Sequence, residues 1–137
     1  MEAFVLDASV SLGWLIDNPP SPYAVRIRQL MVNGGRPIVP VHWILEVANA
    51  LLTAYRRKLL HRPLAEILAD VDALVPFVEI DDFPDTLGTV VGVGQRHNLT
   101  SYDAAYVALA ARRNLPLATQ DRAMISAARA LKISVVR

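Results

Sequence analysis

The chain contains no cysteine. This excludes disulfides, a thiol nucleophile and thiolate zinc sites. Long apolar runs are missing as well. Hydrophobic residues make up 53% of the 137, but Asp, Arg and Pro interrupt them, and no stretch reaches the ~18 needed to span a membrane. The opening "MEAFVLDASV" carries Glu2 and Asp7 where a secretory leader is basic and then apolar. A cytoplasmic protein with no membrane partner is expected. Nor is there an excess of either charge, the net value being +1. No repeat, low-complexity tract or internal linker breaks the chain. One domain over residues 1–137, with one sizeable core, is expected.

What is present is an uneven charge distribution. "YRRKLLHR" gathers Arg56, Arg57, Lys58, His61 and Arg62, and Arg112–Arg113 form a second basic pair. Acids concentrate elsewhere, as in "EIDDFPD", Glu79 to Asp85. A near-neutral total can therefore hide a basic surface beside an acidic site. The plainer alternative is a solvated helix end, where cations suit the dipole.

The pattern alternates between strand and helix. "AFVLD" (3–7) reads as a buried strand, followed by a helix "ASVSLGWLID" that Ser9 can cap. "YAVRIRQLMVN" is a second helix, stopped by Gly34–Gly35, and "PIVP" (37–40) a second strand. Ile44, Val47, Ala48, Leu51, Leu52 and Tyr55 form one apolar helical stripe, with Glu46, Asn49 and Thr53 on the other side. A helix from about Pro63 to Leu74, the strand "FVEI" and a helical segment from Pro84 to His97 follow. That last segment contains Gly88, Gly92 and Gly94. No Gly-Lys-Ser/Thr follows them, so close helix packing explains them better than a phosphate loop. The chain ends with a helix over 101–113, the strand "LPLAT", a helix over 121–131 and the strand "ISVV". This predicts an α/β sandwich with a mostly parallel sheet.

Asp7 closes the first strand, and Asp121 lies just past "LPLAT". Ligands of an open parallel sheet bind outside the C-terminal strand ends, near a switch in strand order. The helix carrying Asp103 runs antiparallel to the strand it precedes, so its N-terminus returns to that rim. Glu46 follows the end of "PIVP" by the same logic. Each acid singly has a structural explanation: a capping box with Thr100 for Asp103, an N-cap for Asp121, and helix-dipole preference for Glu46. Asp7 has none. Four like charges at one rim repel, and a divalent cation relieves them. All-oxygen ligands without Cys or paired His favour Mg²⁺ or Mn²⁺. Ser9 and Thr119 can orient a carboxylate or serve as caps, and Asn49 can support Glu46 or face solvent. His42, His61 and His97 have no metal-ligand spacing and read as structural or surface residues. Trp14 and Trp43 read as core or interface.

"FVLDASVSLGWL", "HWILEVANAL", "LTSYDAAYVALA" and "LPLATQDRAM" together resemble the PIN-domain nucleases, and the chain length resembles their VapC-type toxins. The likeness runs from Ala3 to Val136, with "YDAAYVALA" and "LATQD" its most specific part. The resemblance implies a three-layer α/β/α sandwich. It implies one or two Mg²⁺ or Mn²⁺ ions held by Asp7, Glu46, Asp103 and Asp121, the first and third making the main contacts. It implies hydrolysis of RNA, often tRNA or rRNA, by a metal-activated water. A homodimer and an inhibitory VapB-type antitoxin are also implied. Arg56, Arg57, Lys58 and Arg62 are candidates for holding RNA phosphates. The glycine-bearing segment before Asn98 departs from the alanine-rich helix usual in the family. Two rivals remain. An aspartyl-nucleophile phosphatase wants a second Asp two residues after Asp7, where this chain has Ser9. A catalytically silent PIN-fold binding module would not need the intact acid set.

Overall fold

The computed structural model describes residues 2–82 and 85–137. Its centre is β1 (Ala3–Leu6), buried along its whole length. Strand β2 (Arg36–Pro40) flanks it on one side and β4 (Leu117–Ala118) on the other, with β3 (Glu79–Asp81) beyond β2. All three pairings are parallel, with Val5 aligned to both Ile38 and Leu117. An apolar strand covered on both faces belongs at the middle of such a sheet. The predicted last strand is reduced to one bridge. Leu117 donates to the Ser134 carbonyl and accepts from Val136 N–H. With only two residues in β4, the edge offers no room for a longer ladder.

Helix α6 (Ser101–Arg113) lies directly on β1, β2 and β4. Thr100 caps it, and Asn114 ends it in the left-handed conformation at φ 52°. Helices α5 (Leu87–His97) and α7 (Arg122–Ala130) pack with it. A second group joins α1 (Ala8–Leu15) to α2 (Pro22–Val32) and α3 (Trp43–Arg56). Helix α4 (Leu64–Leu74) buries Ile67. The result is the expected three-layer α/β/α sandwich. The start expected for α5 at Pro84 lies outside the described residues; Thr86 is its N-cap.

The stripe expected on α3 is partly wrong. Val47 and Leu51 are buried, as predicted, but they are joined by Trp43 and Ala54. Ile44, Leu52 and Tyr55 are exposed at 44%, 44% and 56%. The helix is apolar around more than half its circumference, and periodicity alone does not choose which part meets the sheet.

The glycines divide by what surrounds them. A Cβ on Gly13 would sit 2.7 Å from Ala24 Cβ and 3.3 Å from Ser21 Cβ, so this glycine lets α1 and α2 touch. On Gly94 it would meet the Leu99 carbonyl at 3.0 Å, as close packing predicts, but Gly88 has nothing within 4 Å. Gly13→Ala should therefore cost about 1–3 kcal/mol through overpacking. Gly88→Ala should be neutral or stabilise by up to about 1 kcal/mol through helix propensity. Urea unfolding midpoints of the two variants check both signs.

Order β3-β2-β1-β4 places a topological switch between β1 and β4. The chain leaves β1 toward β2 and leaves β4 toward Val135 on the opposite side. A crevice opens at their C-terminal ends.

Candidate active site

That crevice is a cavity of about 300 Å³, lined by Asp7, Ser9, Glu46, Asn49, Asp103 and Asp121 among others. Asp7 comes from the end of β1, Glu46 from the first turn of α3, and Asp103 from the first turn of α6. Asp121 is the N-cap of α7. The four acids expected at one rim thus line one cavity.

Asp7 is buried, with 5% of its surface exposed. Its Oδ2 accepts from Ser9 Oγ at 2.6 Å and from Thr119 Oγ1 at 2.9 Å, and its Oδ1 accepts only a longer 3.3 Å bond from Ser9 N–H. The N-cap of α1 is therefore Asp7 rather than Ser9, so Asp7 has a structural task that the sequence reading denied it. A carboxylate accepts amide hydrogens more strongly than a hydroxyl does, and it sits one step closer to the helix start. Ser9 instead steadies the carboxylate.

Thr119 links two of the acids. Its buried hydroxyl donates to Asp7 and accepts from Asp121 N–H at 3.1 Å. Asp121 is exposed and uses Oδ1 to cap α7 through Met124 N–H at 2.9 Å. Glu46 is half-buried, and its Oε1 faces two neighbours. The phenol of Tyr106 donates to it at 2.7 Å, and His42 Nε2 lies 3.3 Å away. His42 Nε2 also faces the Tyr102 carbonyl at 3.1 Å. Both neighbours are acceptors, so this nitrogen carries a proton. His42 is therefore part of the site's surroundings and not a detached surface residue. The signal was its i, i+4 spacing from Glu46. Tyr106 was the one polar side chain in the apolar run after Asp103, one helical turn on.

Asp103 has its carboxyl pushed above the ordinary aspartate range. Burial is the main cause, followed by the charges of Asp7, Asp121 and Glu46, while the Thr100 hydroxyl pulls the other way. That mutual repulsion marks the centre of a negative field. Among the described residues, no group of three or more acidic or histidine side chains forms a ready-made metal cluster. The donor set nevertheless suits a hard divalent cation. Every candidate ligand is a carboxylate oxygen, and the acids share one small cavity.

Asn49 lines the cavity but is exposed, and no hydrogen bond to Glu46 is seen among the described residues. The basic cluster lies elsewhere. Arg56 is ten residues beyond Glu46 on α3, roughly 15 Å along the axis. Arg56, Arg57 and Lys58 are exposed, and Arg62 pairs with Asp70 at 2.7 Å. The second basic pair is committed to structure. Arg112 pairs with Asp81 at 3.0 Å and Asp85 at 3.2 Å, and Arg113 with Glu79 at 2.8 Å and Asp81 at 3.2 Å. Glu79, Asp81 and Asp85 thus form ion pairs with the end of α6.

The PIN domain family model matches residues 4–130. The chain belongs to the PIN domain family. This PIN domain also resembles solved structures. The crystal structure of PAE2754 from Pyrobaculum aerophilum shares 23% identity with a TM-score of 0.71, over 93% of this chain and 84% of that one. VapBC2 from Rickettsia felis, bound to a DNA fragment from the promoter, shares 12% with a TM-score of 0.62, over 98% and 97%. FitAcB from Neisseria gonorrhoeae shares 14% with a TM-score of 0.58, over 98% and 96%. A comparison with curated proteins finds no match. No helix among the described residues is long and apolar enough to cross a membrane.

Proposed function

We propose that this PIN domain is a Mg²⁺- or Mn²⁺-dependent endoribonuclease acting as the toxin of a toxin–antitoxin pair. The observation that carries this reading is the convergence of Asp7, Glu46, Asp103 and Asp121 on one cavity at the sheet's switch point. Asp7 and Asp103 would make the main contacts to the cation, with Glu46 and Asp121 completing the set. When bound, the cation supplies hydrolytic water near neutral pH and offsets the charge of an incoming phosphate.

The chain's own residues do the rest. Ser9 and Thr119 hold Oδ2 of Asp7, and Oδ1 carries the longer bond from Ser9 N–H. Thr119 also fixes the backbone of Asp121. A substrate phosphodiester must approach four carboxylates, so binding depends on their neutralisation. The exposed Arg56, Arg57 and Lys58, with Arg62, would serve phosphates outside the reacting centre. Such contacts weaken steeply with salt.

An antitoxin partner belongs to the same reading. It is supported by the fold shared with VapBC2 and FitAcB, both named as pairs. A homodimer completes it.

The test is cleavage of RNA by the purified chain. Cleavage should require Mg²⁺ or Mn²⁺, stop with EDTA and return with excess Mn²⁺. Undiminished cleavage in EDTA, or none with either ion, overturns the reading.

A further inference from the structure

Tyr106 is fully buried, yet its hydroxyl does not turn to a backbone carbonyl. It crosses from α6 to α3 and donates to Glu46 Oε1 at 2.7 Å. The Ala8 backbone amide interacts with the same phenol oxygen, so the group also touches the residue next to Asp7. It stands three residues after Asp103, on the same side of the helix. One hydroxyl therefore connects the segments carrying three of the four acids. His42 Nε2 stands 3.3 Å from the same Glu46 oxygen, and its ring packs edge-on against the Tyr106 ring, centroids 5.1 Å apart.

We propose that Tyr106 is a positioning residue for Glu46: its hydroxyl occupies Oε1 and leaves Oε2 as the oxygen offered to a divalent cation. The inference rests on the metal-dependent reading above. Glu46 then engages through one oxygen, and the rotamer of its three-torsion side chain is set before the ion arrives. A carboxylate ligand held by a hydrogen-bonded partner is better oriented than a free one, and losing such a partner typically weakens metal affinity about 10–100-fold.

The experiment is Mn²⁺ titration of the full chain by calorimetry, without RNA. Tyr106→Phe, which removes one oxygen atom, should weaken Mn²⁺ binding by at least about tenfold while circular dichroism stays native. Leu109→Val, a core change one turn along α6, should lower the melting temperature without moving Mn²⁺ affinity. In a Glu46→Gln background, adding Tyr106→Phe should weaken binding no further. Unchanged affinity in Tyr106→Phe overturns the assignment, as does an equal loss in Leu109→Val, which would mark a general packing effect. If Tyr106→Phe does not fold, His42→Leu replaces it by removing the ring that packs against the phenol and holds it in place: a loss in the same direction supports the assignment, and unchanged affinity overturns it. Failure of the unaltered chain to bind Mn²⁺ overturns the metal-dependent reading itself, and this inference with it.

Discussion

Asp103→Asn should reduce RNA cleavage by more than about 100-fold, beyond what losing a mere supporting partner costs. The same substitution should raise the melting temperature of the metal-free protein. Both effects have one origin. Asp103 sits in the field of Asp7, Asp121 and Glu46, and burial with those charges holds its carboxyl above the ordinary range. Removing its charge relieves repulsion that protonation or a bound cation would otherwise relieve. The sign with pH follows. A carboxyl whose folded value is raised favours the folded state once protonated. Metal-free protein should therefore gain stability as pH falls through that raised value and lose the gain as pH rises again. Asp103→Asn should flatten that part of the profile. Added Mn²⁺ should stabilise the unaltered protein far more than the variant, because binding to the native state alone raises stability. Melting curves of both proteins in EDTA and in Mn²⁺, at two pH values, check all of this. Equal cleavage by the two proteins would refute the role given to Asp103.

Thr119→Val should cost about 1–3 kcal/mol of stability although the two side chains have nearly the same shape. The hydroxyl is buried, with 1% exposed, and serves Asp7 Oδ2 and Asp121 N–H together. Valine leaves a buried carboxylate oxygen short of a donor and an amide short of an acceptor. Cleavage should fall by about 10–100-fold as two acids lose their common anchor. Thr119→Ser should recover most of both losses, since it keeps the hydroxyl. Denaturant titration and initial cleavage rates separate the two effects.

Much of this arrangement could be read before any coordinates. The span of α6 was legible because its ends are written in side chains: Thr100 caps it, and Asn114 accepts the left-handed turn that stops it. The shared rim of Asp103 and Asp121 followed from a short connection forcing helix and strand antiparallel. Other parts were not legible. Ser9 and Asp7 both have cap chemistry, and only the observed bonds decide between them. The exposed Ile44, Leu52 and Tyr55 show that an apolar side chain states a preference for burial without naming a neighbour. "ISVV" has strand composition, but its length in the sheet is set by β4 beside it. Arg112 and Arg113 read only as a second basic pair because their partners, Glu79, Asp81 and Asp85, lie about thirty positions earlier. The link between Tyr106 and Glu46 spans 60 positions and depends on two helices meeting beneath the cavity.

The divided use of the carboxylates has a consequence for control. Glu46 and Asp121 each commit one oxygen, and Asp7 both of its oxygens, to hydrogen bonds from their own chain. Those bonds also anchor α1, α3 and α7, and none of them requires an ion. On the metal-dependent reading proposed above, the domain's architecture is uncoupled from the cation, unlike that of a small zinc domain that folds only around its ion. Withdrawal of divalent cations should silence such a protein while leaving it folded, and their return should rearm it at the speed of ion diffusion rather than of refolding.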